Sequence, residues 1–297
     1  MFVPVPRSET RSALLADAAF GARPDRSAAE LPAAENALGT WWRAVVLGGQ
    51  GRYAAARAEL SELRIGTTDP VLLAVGAATE GSLLRQLGWH ARAARHDGRA
   101  AALILPLLSR ARPRQSRDTS GPDALEAAAD ALTGLAADAL GTGRLELATR
   151  LLDRCATLLE RNSAATRWRP LVRLGWVRAE TALASGQAAQ ALGEAEAALG
   201  LAERSPSLRH EVKSRLLVAA STAAVGDTTR ARVLAETVAQ QCRDNGLLPL
   251  CWASAMLRTG LPAEGNRPSD TPADQEAAVC AAVIARRGGR FRPMATP

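Results

Sequence analysis

Gly48, Gly49 and Gly51, in the stretch GGQGRYAAARAEL, are the first residues whose spacing suggests chemistry. A phosphate-binding loop needs a lysine and then a serine or threonine after its last glycine, so that a cation and a hydroxyl meet phosphate and metal. Arg52 and Tyr53 stand there instead. A dinucleotide fingerprint needs a preceding strand and a third glycine, and both are missing, so the stretch reads as a tight turn between two packed helices. His90, His96 and His210 have no cysteine or carboxylate at metal-ligand spacing, and HEVK lacks the second histidine of a zinc-protease helix. There is no Gly-x-Ser-x-Gly elbow. Asp130, Glu180 and Glu194 lie singly on alanine-rich segments and read as solvated carboxylates. Cys155, Cys242, Cys251 and Cys280 form no Cys-x-x-Cys pair, so they read as small buried hydrophobes or free thiols in a reducing compartment. The expectation is a non-enzymatic protein with no metal and no cofactor.

The arginines are the exception to this blandness. From Arg85 to Arg117 there are eight of them (Arg85, Arg92, Arg95, Arg99, Arg110, Arg112, Arg114 and Arg117) against one acid, Asp97. Arg92, Arg95 and Arg99 are spaced to lie along one helix face. A second group runs Arg161, Arg167, Arg169, Arg173, Arg178, and a third is Arg286, Arg287, Arg290, Arg292. Lys213 is the only lysine, a bias that fits GC-rich coding of the actinobacterial kind. A net charge of +7 permits acidic-protein or nucleic-acid partners.

The elements that must carry these side chains are helices. Hydrophobic residues make up 47% of the 297-residue chain but aromatics only 3%, so alanine and leucine, both strong helix formers, carry the apolar load. Alternating β-branched runs are too sparse for a sheet. No stretch is long and apolar enough for a signal peptide or a membrane span, which points to a cytoplasmic protein with no membrane contact.

One pattern recurs five times: a glycine, a small or medium residue two positions on, and an alanine three beyond that. It runs Gly51–Tyr53–Ala56, Gly88–His90–Ala93, Gly143–Leu145–Ala148, Gly186–Ala188–Ala191 and Gly226–Thr228–Ala231, at intervals of 37, 55, 43 and 40 residues. Glycine tolerates the positive φ of a helix C-terminus, and alanine lets two backbones approach. A lone hairpin cannot cover its apolar face, so such units stack. The pattern resembles the tetratricopeptide repeat family over about residues 37–258, with AADALTGLAADALGTGRLELATRLLDRC the fullest match. The resemblance implies an all-α α-solenoid of about five stacked helical hairpins, with the first helix of each lining a concave groove. By the family's register Arg85, Thr133, Arg173, Trp176, Glu180 and Lys213 face that groove. The lysine and asparagine set with which one branch of the family grips chaperone tails is not found here.

Around the array, residues 1–36 read as a partly disordered N-terminal segment, 259–274 as a linker, and 275–297 as a capping helix plus tail. That helix would begin after Asp274 as N-cap and stop at Gly288, and the tail RFRPMATP would be disordered. The helix before Pro106 is expected to kink or end there. Residues 109–122 read as a mobile loop, and Ser207 as a helix cap. The expected function is a scaffold or adaptor that binds an acidic or extended polypeptide in a basic groove. The partner-binding candidates are Arg85, Arg92, Arg95, Arg99, Arg173, Trp176, Glu180 and Lys213. Two alternatives stand beside it: nucleic-acid binding through the Arg92–Arg95–Arg99 stripe and the Arg112–Arg117 loop, and a regulatory module that cages a small molecule.

Overall fold

All five punctuating glycines take positive φ: 71° at Gly51, 81° at Gly88, 77° at Gly143, 72° at Gly186 and 94° at Gly226. Each closes the same two-bond turn. The glycine amide donates three residues back, as Gly143 does to Leu140 at 2.9 Å, and the next amide donates five residues back, as Arg144 does to Ala139 at 2.8 Å. These bonds satisfy carbonyls that a helix end leaves open. Ala56, Ala93, Ala148, Ala191 and Ala231 are all 0% exposed, so in every unit the repeated alanine marks the closest packing of the pair.

The computed structural model describes residues 10–110, 121–162, 167–261 and 272–293. Among them are thirteen helices and no strand. Helix α1 spans Arg11–Phe20. Five hairpins follow: α2 (Ala37–Gly49) with α3 (Tyr53–Gly66), α4 (Pro70–Gln86) with α5 (His90–Arg110), α6 (Ala124–Gly141) with α7 (Leu145–Arg161), α8 (Trp168–Ala184) with α9 (Ala188–Glu203), and α10 (Leu208–Ala224) with α11 (Thr228–Asp244). A sixth pair, α12 (Leu248–Gly260) and α13 (Pro272–Arg286), extends the row. Side-chain caps start several helices: Asn36 accepts from the Gly39 amide, Asp69 from Val71, Asp123 from Glu126 and Asp227 from Arg230. Each such cap is worth about 1 kcal/mol. The buried apolar residues fall into successive clusters along the chain rather than one centre, as stacked hairpins require.

The two ends of the row meet. The Ala54 amide donates to the Arg287 carbonyl at 2.9 Å, Arg287 Nη1 to the Gln50 carbonyl at 2.9 Å, and Arg57 Nη1 to the Gly288 carbonyl at 3.1 Å. Ile284 of α13 is fully buried in the cluster that holds Tyr53 of α3. Helix α1 lies inside the curve. Its Phe20 ring is 5.3 Å from Trp41 of α2 and 6.1 Å from His210 of α10, and the Gly21 carbonyl accepts from the Leu208 amide at 3.2 Å.

Four expectations need correction. Helix α5 continues through Pro106 to Arg110. Ala102 and Pro106 both face solvent, so water can serve the carbonyl that proline leaves without a helical donor. Helix α13 begins at Pro272 rather than after Asp274. Ser207 precedes α10 but makes no side-chain cap; its hydroxyl lies 2.8 Å from His210 Nδ1 instead, because the buried imidazole needs a partner. The tail through Pro293 is ordered: the Arg292 amide donates to the Leu87 carbonyl at 2.8 Å, and Phe291 stacks 4.2 Å from Trp252. Residues 111–120, most of the expected loop, lie outside the described residues. No helix among the described residues is long and apolar enough to cross a membrane.

The turns give a direct test. A Cβ at Gly143 would meet nothing within 4 Å, so Gly143→Ala isolates the backbone cost of positive φ. We expect a loss of about 1–2 kcal/mol by urea denaturation. Gly288→Ala should cost more, because its Cβ would also lie 2.7 Å from that of Ala54 at the junction of the two ends.

Candidate functional site

The first helices of the hairpins line the inside of the curve, and polar contacts join α2, α4, α6, α8 and α10 in turn. Trp41 Nε1 of α2 donates to Thr79 Oγ1 of α4 at 2.9 Å. Arg85 of α4 meets Asp138 of α6 at 3.2 Å and Asp97 of α5 more closely still. Asp130 of α6 takes Arg169 at 2.5 Å and Arg173 at 2.9 Å, both from α8. Glu180 of α8 pairs with Lys213 of α10 at 3.4 Å, and Trp176 Nε1 donates to Ser214 at 2.8 Å. The inner wall is thus a ladder of ion pairs and hydrogen bonds between neighbouring hairpins.

Asp130 is therefore not a solvated carboxylate. It is 4% exposed, and although burial pushes its carboxyl upward, Arg169 and Arg173 outweigh that and hold it below its ordinary value. Asp97 is fully buried, and room for it is made by Gly81 of α4 and Gly134 of α6, where any Cβ would collide with the carboxylate. Asp138 differs: burial pushes it up to about 7 against the pull of Arg85, and the neighbouring Asp97 charge adds to the rise. Two carboxylates share one guanidinium here, and they cannot both ionise freely.

Inside the ladder is a cavity of about 430 Å³. Its polar lining includes Arg85, Thr133, Arg173, Glu180, Arg209 and Lys213. Its apolar wall includes Trp176, Val177, Leu217, Leu250, Trp252 and Phe291. All six residues assigned to the groove by register, Arg85, Thr133, Arg173, Trp176, Glu180 and Lys213, thus come together in one chamber. Trp176 is only 7% exposed; its ring stacks 5.1 Å from His210 and carries the Lys213 ammonium 4.6 Å above its face. Arg92, Arg95 and Arg99 are placed elsewhere, exposed on the outside of α5.

Sequence reasoning missed Arg209. It sits between the main cavity and a smaller inner chamber of about 60 Å³. Its Nη2 donates to the Ala19 carbonyl at 3.3 Å, and among the described residues no carboxylate lies within ion-pair distance of it. Burial, with Arg173 and Arg169 adding repulsion, lowers its pKa to about 10. The available signal was its position one turn before Lys213 on the same helix face. His210, packed between Trp168 and Trp176, is held well below the ordinary histidine range by burial and stays neutral. No group of three or more His, Cys, Asp or Glu among the described residues is placed to hold a metal.

No protein-family model matches the chain, and no curated protein matches it. Among solved structures, it is similar to the crystal structure of a Rap protein complexed with competence and sporulation factor. That likeness covers 88% of this chain and 67% of the other, at 10% identity and a TM-score of 0.59. It establishes a helical-repeat fold. A looser likeness is to BtubC (BKLC) from P. vanneervenii, at 13% identity over 84% of this chain and 96% of the other, with a TM-score of 0.44.

Proposed function

We propose that this chain is a non-enzymatic binding module that takes a short acidic segment of a polypeptide partner into its central cavity. The observation that carries this reading is Arg209. A half-buried guanidinium with no carboxylate beside it is left under-satisfied. A ligand carboxylate can satisfy it by a bidentate, charge-assisted contact, with Lys213 within reach on the same face. The cavity volume lies in the range of sites that enclose a small ligand. The segment is therefore short, rather than an extended polypeptide lying along the whole array. Trp176, Leu217, Trp252 and Phe291 offer it apolar contacts. The Rap protein, a fold neighbour, was crystallised with a factor bound, which is consistent with a receptor role for such a curve.

The test is calorimetric titration of the full chain with a tetraglutamate peptide and with its tetraglutamine counterpart. Binding of the first and not the second is expected. Arg209→Leu should weaken it at least about tenfold, equivalent to about 1.4 kcal/mol, while leaving the melting temperature unchanged or higher. If neither peptide binds, and native mass spectrometry of the purified protein shows a retained small anion, the cavity is a small-molecule site. The enclosure of the chamber makes that the second reading.

A further inference from the structure

On the outer face, away from the cavity, the first and third arginine groups of the sequence converge. Arg92 and Arg95 of α5 lie around the same open hollow, of about 700 Å³, as Arg286 of α13 and Arg290 of the tail. All four side chains are on exposed residues. Among the described residues none of them has a carboxylate within ion-pair distance; the one acid in the hollow, Glu80, is held at 3.0 Å by Arg57. The arrangement is tied down. Trp89 Nε1 donates to the Arg290 carbonyl at 2.8 Å, and the Arg92 guanidinium lies 4.3 Å over the Trp89 ring.

Two comparisons within the molecule give this weight. First, Arg43, Arg85, Arg169, Arg215 and Arg258 all meet carboxylates, whereas these four, gathered around one hollow, do not. Four unpaired guanidiniums around one hollow repel one another and disfavour the folded state. Second, none of the large apolar side chains that the structure leaves exposed (Ile65, Val225, Val233, Met256, Val279) lines this hollow; of the apolar residues within it Leu87 is buried, Leu84 is half-buried, and half-buried Trp89 lies under the Arg92 guanidinium. Polypeptide interfaces draw on apolar anchors. A phosphate backbone needs none, and the guanidinium fork matches its oxygens.

We infer that this outer face is a binding site for the phosphate backbone of single-stranded nucleic acid, held without base readout. The second hairpin and the end of the row build it together: α5 supplies Arg92 and Arg95, α13 supplies Arg286, and the segment after it supplies Arg290. The face exists only while the ends of the array are joined. It is independent of the cavity reading and does not involve Arg209.

The experiment is fluorescence anisotropy of a labelled single-stranded oligonucleotide with the full chain across a salt series. Four phosphate contacts give a log K against log[salt] slope of about −3. Arg92→Glu/Arg95→Glu and Arg286→Glu/Arg290→Glu should each cut affinity at least about tenfold. The matching double alanine variants should each flatten the slope by about 1.4. Melting temperatures should stay equal or rise, which separates lost binding from lost folding. The inference is overturned if wild-type protein shows no binding at low salt, or if either glutamate pair binds as wild type does. It is also overturned if a polyglutamate peptide of matching charge binds this face more tightly than the oligonucleotide, since the partner would then be an acidic protein.

Discussion

Asp130→Ala is expected to be the most damaging single change in the inner wall. The carboxylate lies between Arg169 and Arg173, which approach from the next hairpin at 2.5 and 2.9 Å. Without it two guanidiniums remain in a wall that admits little water, beside the already unpaired Arg209. Removing one partner of a buried pair costs about 3–5 kcal/mol. Because the pair bridges α6 and α8, the loss falls on the interface between two hairpins, and interface terms hold a repeat array together. Thermal melting should therefore shift down by roughly 10 °C, since each kcal/mol is worth about 2–4 °C in a chain of this size class. The transition should also broaden as the halves on either side uncouple. Glu194→Ala, on the partly exposed side of α9, serves as control and should change stability by less than about 0.5 kcal/mol. Equal melting of the two variants would show that the ladder carries no load.

The second large effect is one of pH. Asp138 titrates near 7 in the folded chain because burial outweighs the attraction of Arg85, with Asp97 adding its charge. In the unfolded chain its pKa is the ordinary 3.8. Between those values the folded state holds a proton that the unfolded state has lost. Linkage then requires this group's contribution to stability to fall as pH rises from about 4 to about 7, and to level off above that. Asp138→Asn replaces the carboxyl with a neutral group of the same shape and removes the penalty. The gap of about three units corresponds to about 4 kcal/mol, part of which is offset by the weaker contact to Arg85. The net gain at pH 8 should be on the order of 2 kcal/mol. At pH 5, only about a third of that penalty has accrued, so the variant's gain should be correspondingly smaller. Urea midpoints at the two pH values test this. A variant less stable than wild type at pH 8 would mean that Asp138 serves the fold as an anion.

The hairpin row was legible because its determinants are local. Gly51, Gly88, Gly143, Gly186 and Gly226 each sit where only a residue without a Cβ is comfortable, and each alanine five positions later marks a close contact. The register of the repeat family that this pattern resembles put Arg85, Thr133, Arg173, Trp176, Glu180 and Lys213 on the inside. What stayed hidden depends on partners far apart in the chain. Asp97 looked like a lone acid in a basic stretch; its burial depends on Gly81 and Gly134, which belong to two other helices. Arg209 belongs to no cluster in the sequence, and its isolation is visible only when α1, α8 and α10 are seen together. Gly288 read only as the stop of a helix, but with Gly289 it lets the chain lie against Ala54 and Tyr53.

That last contact constrains the molecule's history as well as its shape. An open stack can gain or lose a unit and simply become longer or shorter. Here Arg287 must reach Gln50, and Gly288 must reach Ala54, across a fixed angular span. Deleting or duplicating one hairpin would carry the two ends past each other or leave them short. The number of units is thereby set by geometry, and any relative with one more or one fewer must have rebuilt its closing segment.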